Sequence, residues 1–397
     1  MINTKAQEEK KVETLLTKAQ VNIIDLAHCG TEDIPHKSVL NKVAQQLQKA
    51  LSEKGFALLV NHGIQEEKLK YAYELLDEFC KLPDDIKELY LRNGSKNQGY
   101  VKPNQEKFGK SGELRHAFNI CAFADNGLDL PEDPVPGFQE HMADLAKEFK
   151  KLAKFILQAM AVALNLPHGF FTESHQHMLG GENQNCTTFR LLYYPPLVED
   201  DGKCELVKGS STYSYQRCAL DRLDIRLPDD ETDNEELLNQ NVTRCGPHCD
   251  YGTFTLLAQD SEGGLEVKLP GSEKWQRVGH LPGAILINTG ELLSLWTHDK
   301  FPALPHRVII PKQQYIRNRG RHSIAFFCHP DNETNIVPID EHHTLASQSQ
   351  HDASSSSTES IEPPSKGRRK SSLKNAKIKF VNLFQNLQCI STRTKEI

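Results

Sequence analysis

The chain has 397 residues, with 47 Lys and Arg against 53 Asp and Glu (net −6) and 38% hydrophobic residues. That balance does not indicate a general affinity for nucleic acid, and no nucleic-acid partner is expected; the longest apolar stretch, FILQAMAVALNL, is shorter than the ~20 residues that span a bilayer as a helix. Ten cysteines without a CxxC pair read as reduced thiols, and the charged opening MINTKAQEEKKVE lacks the apolar run of a secretory signal, so the expected compartment is the cytoplasm.

In chain order, residues 1–18 read as a solvated, flexible leader and 19–185 as a region of one strand and several helices. In HKSVLNKVAQQLQKALSEKG, Val39, Leu40, Val43, Leu47 and Leu51 share one helical face, and Gly55 can end the helix. Met142, Leu145, Phe149, Leu152, Ile156 and Met160 form a second, longer stripe. Such stripes pack on a core, and these helices are expected to buttress one side of a barrel.

Residues 186–340 are strand-rich. TFTLLAQD, the VII that follows His306, and RHSIAFFC have the β-branched and apolar character of strands, and Gly263-Gly264 marks a hairpin-like turn between two runs. LPGAILINTGELL carries a turn, a buried strand and a glycine suited to close backbone approach. No internal repeat, phosphate-binding loop or dinucleotide fingerprint is present. An acidic insertion at about 199–242 holds 12 Asp and Glu against 5 Lys and Arg; it reads as a disordered surface loop, or as a lid or partner contact beside a pocket. The end of the chain, 341–397, is Ser-rich and then basic and is expected to be disordered. Its segment 366–397, with nine Lys or Arg against one Glu, offers a weak contact for an anionic membrane or a protein partner.

The chemistry concentrates in five residues of the strand-rich half. His248 and Asp250 stand in CGPHCDYGTF, His306 in LPHRVII, and Arg321 and Ser323 in GRHSIAFF. Two histidines and a carboxylate are the donor set of a mononuclear non-haem Fe(II) site with one face open for O2 and a second ligand. On a strand, residues i and i+2 point to one face, so His248 and Asp250 can reach one metal, and Arg321 and Ser323 can form a clamp for a carboxylate. His62, His280, His298 and His329 read as structural or surface residues. An isolated HxD pair is weak by itself; the ordered set points to an oxygen-activating enzyme.

The ordered segments VNIIDL, EKGFALLVNHGI, FCKLPDDIKELY, NQGYV, ELRHAFNI, LLYYPP, RCGPHCDYGTFTLLAQD, GHLPGAILINTGELLSLWT, LPHRVI and RHSIAFF resemble the isopenicillin-N-synthase-like branch of the Fe(II)/2-oxoglutarate-dependent dioxygenases, over about residues 20–340. The resemblance implies a mainly β fold: a double-stranded β-helix, or jelly-roll, core with a helical buttress and an N-terminal α/β region. It implies that His248, Asp250 and His306 bind iron, that Arg321 and Ser323 hold the distal carboxylate of 2-oxoglutarate, and that Tyr194 helps bind this cosubstrate. O2 would be the oxidant, succinate and CO2 the coproducts, and a small organic metabolite the molecule hydroxylated. The chain departs from the pattern in having Leu192 where the family often has Asn, about 50 residues between YYPP and the HxD pair, and RNRG inserted before Arg321. Two alternatives stay open: an oxidase of the same family that does not use 2-oxoglutarate, and a catalytically silent binding protein on this fold.

Overall fold

The computed structural model describes residues 15–16, 20–27, 29, 37–92, 96–108, 111–123, 130–200, 203–206, 242–310, 319–339 and 378–379. Most of the expected leader, most of the acidic insertion and nearly all of the Ser-rich and basic tail lie outside the described residues.

Strands β1 (Leu15–Leu16) and β2 (Ile23–Asp25) precede helix α1 (Lys37–Lys54), β3 (Phe56–Val60), α2 (Glu66–Lys81) and the short α3 (Asp84–Glu88). Strands β4 (Gly99–Val101), β5 (Lys107–Phe108), β6 (Ser111–Glu113) and β7 (His116–Ile120) lead to the long α4 (Phe138–Ala163) and to α5 (Phe170–Glu173). Then come β8 (Thr188–Tyr194), the hairpin of β9 (Leu197–Asp200) and β10 (Lys203–Leu206), β11 (Val242–Thr243), β12 (Cys245–His248) and β13 (Phe254–Gln259). The order continues with β14 (Leu265–Lys268), β15 (Trp275–Val278), β16 (Ile285–Thr289), α6 (Glu291–Trp296), β17 (His306–Val308) and β18 (Arg321–Cys328). Finally, β19 (Asn335–Ile336) pairs with β20 (Ile378–Lys379).

Both expected stripes form helices. Leu40, Val43, Leu47 and Leu51 of α1 are buried, and Gly55, at φ +73°, ends the helix in a conformation that favours glycine. Met142, Leu145, Phe149, Leu152, Ile156 and Met160 of α4 are all buried. Phe149 meets Phe189 of β8 at 5.5 Å and Phe326 of β18 at 6.2 Å between ring centroids, so α4 lies against the middle of the sheet.

An eight-stranded sheet runs in the order β2-β3-β16-β13-β18-β8-β7-β4, and a five-stranded sheet in the order β1-β15-β14-β17-β12. The period-2 alternation of each strand divides the core in two. Ala57, Leu59, Phe118, Leu191, Phe254, Leu256, Ile287, Ile324 and Phe326 face the helices. Phe56, Leu58, Ala117, Leu192, Tyr194, Leu286 and Ala325 face the other way and pack with Cys245, Leu265, Val267, Val278 and Val308 of the smaller sheet. Two sheets closed around a shared interior, with helices on the outer face of the larger one, make a double-stranded β-helix with a helical buttress. The N-terminal region does more than buttress: β2, β3, β4 and β7 are strands of the larger sheet itself.

One local expectation is corrected. Gly263 and Gly264 both adopt positive φ, as a tight turn requires, yet β13 and β14 do not form a hairpin. β13 belongs to the larger sheet and β14 to the smaller one, so the glycines carry the chain across the barrel. A turn signal reports that the chain reverses; which strand it then pairs with is decided by the facing sheet.

Candidate metal and cosubstrate site

His248 is the last residue of β12 and stands directly opposite His306, the first residue of β17. The register shifts between Cys245 and His248, and the two imidazole centroids lie 4.3 Å apart. Each ring is anchored two residues back: His248 Nδ1 bonds Gly246 O at 2.8 Å and His306 Nδ1 bonds Leu304 O at 3.0 Å. A carbonyl only accepts, so Nδ1 carries the proton and Nε2 keeps its lone pair as a metal donor. Burial pushes the His306 pKa down, which favours that neutral form.

Asp250 arrives by a different route from the one expected. β12 ends at His248, so Asp250 sits in the turn before β13, not on a common strand face. Backbone and side-chain bonds hold that turn. Asp250 O accepts Glu291 N–H at 2.8 Å and Tyr251 O accepts Leu292 N–H at 3.1 Å, which docks the turn on the start of α6. The approach leaves no room for a Cβ at Gly290, which would meet Gly252 O at 2.1 Å, or at Gly252, which would meet Cys328 O at 2.5 Å. Gly290 thus makes the close backbone approach its sequence context suggested.

The Asp250 carboxylate is divided between two tasks. Oδ2 accepts Thr255 Oγ1–H at 2.6 Å and Asn288 Nδ2–H at 2.7 Å. Oδ1 turns to the histidines, 3.8 Å from His248 Nε2 and 3.6 Å from His306 Nε2. Burial alone would raise the pKa of this buried carboxyl, but the adjacent His306 and His248 and the two donated hydrogen bonds hold it below the ordinary carboxylate range. The three donor atoms lie within 4.8 Å of one another, and among the described residues no other group of three His, Cys, Asp or Glu is so placed. Two imidazole nitrogens and one oriented carboxylate oxygen fit Fe(II), which leaves further coordination positions open.

Arg321 and Ser323 behave as expected of i and i+2 on β18. Both are buried on the barrel side, and Arg321 Nη1–H donates to Ser323 Oγ at 3.2 Å. Nη2–H donates to Gln259 Oε1 at 3.0 Å, and the guanidinium lies 4.9 Å from the centre of the Tyr194 ring, whose residue is the Cα partner of Arg321 on β8. Nε of Arg321 is buried without a hydrogen-bond partner. A buried guanidinium with a donor to spare fits a carboxylate ligand such as that of 2-oxoglutarate. Burial raises the Tyr194 pKa, so its phenol remains a protonated donor. Leu192, opposite Ser323, places an apolar side chain at the level of the clamp.

The sequence reading did not single out Thr255, Asn288 or Gln259, although each lies on the barrel face of its strand by alternation from the core residues beside it. That alternation was the available signal. It also missed His322, whose neighbours are Arg321 and Ser323. Of the histidines read as structural, His62 bonds Gly283 O at 2.9 Å and His329 bonds Phe327 O at 3.1 Å.

Comparison with known proteins agrees with this geometry. The 2OG-Fe(II) oxygenase superfamily matches residues 186–330, and the N-terminal family of non-haem dioxygenases in morphine synthesis matches residues 21–143. The 2-oxoglutarate-dependent dioxygenase htyE of Aspergillus rugulosus is 26% identical over 323 residues, covering 74% of this chain and 84% of its own. The proline hydroxylase buaE of Petromyces alliaceus is 28% identical over 311 residues, covering 74% of this chain and 82% of its own. In fold, the chain is similar to a full-length Neurospora crassa protein crystallised with alpha-KG (TM-score 0.63, 23% identity, 84% of this chain and 92% of that one). It is also similar to the dioxygenase for auxin oxidation 1 of Arabidopsis thaliana in its 2-oxoglutarate complex (TM-score 0.56, 20% identity, 81% and 99%). Among the described residues no helix is long and apolar enough to cross a membrane. The two matched segments together span more than half of the chain, and the first includes Tyr194, His248, Asp250, His306, Arg321 and Ser323; the chain belongs to the 2OG-Fe(II) oxygenase superfamily, as a 2-oxoglutarate-dependent dioxygenase that uses Fe(II).

Proposed function

We propose that His248, Asp250 and His306 are the iron ligands, that Arg321, Ser323 and Tyr194 hold 2-oxoglutarate, and that the enzyme hydroxylates a small organic metabolite. The observation that carries this reading is that one double-stranded β-helix holds both a two-histidine, one-carboxylate donor set and, on the barrel side of β18, a buried arginine with an unpartnered N–H. Bound iron and 2-oxoglutarate supply O2 activation, with succinate and CO2 as coproducts.

The chain's own residues bind and orient. Gly246 O and Leu304 O fix the imidazole tautomers, and Thr255 and Asn288 fix which carboxylate oxygen of Asp250 faces the metal. Arg321 offers a planar fork that a lysine could not reproduce. Tyr194, paired with Arg321 across β8 and β18, offers a protonated phenol as a donor beside the guanidinium, and the buried Leu192, Val267, Val308 and Leu286 keep the interior apolar. An intact triad and an intact clamp support an active enzyme over a silent scaffold, because function resides in the site rather than the fold. The names of relatives such as a proline hydroxylase support a small-molecule substrate. We place the reaction in the cytoplasm, a reading supported by the free thiols of Cys29, Cys80, Cys121, Cys186, Cys245, Cys249 and Cys328.

The test is O2-dependent conversion of 2-oxoglutarate to succinate by the Fe(II) protein, run against a metabolite library. Succinate release stimulated by one class of compound, and abolished in Asp250→Ala, is expected. Oxygen consumption with 2-oxoglutarate untouched would replace this reading with that of a 2-oxoglutarate-independent oxidase.

A further inference from the structure

On the side of β18 opposite the clamp lies a buried ionic clasp. Alternation turns His322 toward the helices with Ile324 and Phe326, while Arg321 and Ser323 face the barrel. The His322 ring donates Nε2–H to Asp77 Oδ1 of α2 at 2.8 Å, and its Nδ1 lies 3.4 Å from Asp260 Oδ2, just past the end of β13. It stacks on Tyr193 of β8 (4.7 Å between centroids, 17° between planes) and on Tyr73 of α2 (5.3 Å, 28°). The backbone joins the same knot: His322 N–H donates to Asp260 Oδ2, and Asp260 N–H donates to His322 O at 3.1 Å.

Two carboxylates on opposite ring nitrogens require both nitrogens to be donors, so the ring is an imidazolium. Burial alone would lower its pKa, but hydrogen bonds to Asp260 and Asp77 outweigh burial and push it up to about 9. A buried ion triad of this kind is a poor source of net stability and a good means of fixing one geometry. The location shows which geometry is at stake. Arg321 is the first residue of β18, and strand ends are where ladders fray. The cosubstrate clamp therefore hangs on a strand terminus, while a binding constellation has to be held to within about 0.5 Å.

We propose that His322 is a positioning residue for 2-oxoglutarate: with Asp77 and Asp260 it ties α2 and the end of β13 to the start of β18, and so holds Arg321 and Ser323 where the distal carboxylate is accepted. This rests on the assignment of Arg321 and Ser323 to the cosubstrate made above. A role in general folding would weaken every property of the protein together, whereas a positioning role acts on one ligand.

The experiment is an anaerobic titration of 2-oxoglutarate into the Fe(II) protein, read by the metal-to-ligand charge-transfer band, for the wild type, His322→Gln and Asp77→Asn. A parallel Fe(II) titration of each protein is read against a chromophoric chelator. The expected result is a 2-oxoglutarate Kd raised at least tenfold in His322→Gln, raised less in Asp77→Asn, and an iron Kd within twofold of wild type in both. In turnover, the KM for 2-oxoglutarate rises while kcat is retained. If His322→Gln fails to fold, Asp77→Asn, which keeps size and shape, decides alone. A 2-oxoglutarate Kd within twofold of wild type, or equal losses for iron and cosubstrate, overturns the proposal while leaving the clamp assignment intact. Wild-type protein that binds iron but no 2-oxoglutarate overturns the clamp assignment itself, and this inference with it.

Discussion

Replacing Thr255 with valine keeps the shape of the side chain and removes one hydrogen bond, from Oγ1–H to Asp250 Oδ2 at 2.6 Å. A buried hydrogen bond to a charged group is worth about 1.5–3 kcal/mol, and about 1.4 kcal/mol is a factor of ten in affinity. Loss of the bond alone therefore predicts a decrease of roughly 10- to 100-fold in iron affinity, which is also the usual cost of removing a partner of a metal ligand. Asn288 still donates to the same oxygen at 2.7 Å and keeps Oδ1 facing the histidines, so the lower part of that range, about 10- to 30-fold, is expected. The sign of a second effect also follows. Thr255 is one of the groups that hold the Asp250 pKa down, so in Thr255→Val protons compete with iron at higher pH than in the wild type. The assay is anaerobic Fe(II) titration against a chromophoric chelator at two pH values, with circular dichroism to confirm folding. A folded Thr255→Val protein with iron affinity within threefold of wild type would refute the argument that this hydroxyl orients the carboxylate.

Three further outcomes follow from the same geometry. In Gly290→Ala the new Cβ would lie 2.1 Å from Gly252 O, so the Asp250 turn must move; iron stoichiometry falls well below one per chain and the melting temperature drops, and full iron occupancy would contradict this. Arg321→Lys cannot serve Ser323 and Gln259 as the two ends of a planar fork; the Kd for 2-oxoglutarate rises about 10- to 100-fold with iron binding unchanged, measured by the charge-transfer band. His322 has a folded pKa of about 9 against an ordinary 6.5, so its contribution to stability is complete below pH 6.5 and is lost as pH rises through about 9. Among the described residues, Asp77 and Tyr73 of α2, Asp260 after β13 and Tyr193 of β8 face it. Wild-type thermal stability should therefore fall more steeply from pH 7 to 10 than that of His322→Gln, and parallel pH profiles would contradict it.

Periodic features were legible in the sequence because one element suffices to define them. The stripe from Met142 to Met160 needs only a helix, and Arg321 and Ser323 need only a strand, so both expectations match the structure. Features that depend on a distant partner were not legible. Asp250 reaches the histidines from a turn whose shape is set by α6 and by two glycines that admit close backbone approach, 38 positions apart in the chain. Strands β2, β4 and β7 have three, three and five residues, too few for alternation to speak, and only the sheet reveals them as its members. Asn288 and Gln259 look like ordinary polar strand residues until the turn before β13 brings Asp250, and β18 brings Arg321, against them. His322 is the clearest case: between Arg321 and Ser323 it is unremarked in the sequence, and its contacts emerge only where α2 delivers Asp77 from 245 positions away.

Whether His248, Asp250 and His306 hold iron that 2-oxoglutarate then chelates is decided by the anaerobic absorption spectrum of the protein with Fe(II) and 2-oxoglutarate, with His248→Ala as control. A metal-to-ligand charge-transfer band is expected in the wild type and not in the variant. Iron binding without that band would contradict the cosubstrate assignment, and a band that survives in His248→Ala would contradict the assignment of the metal ligands.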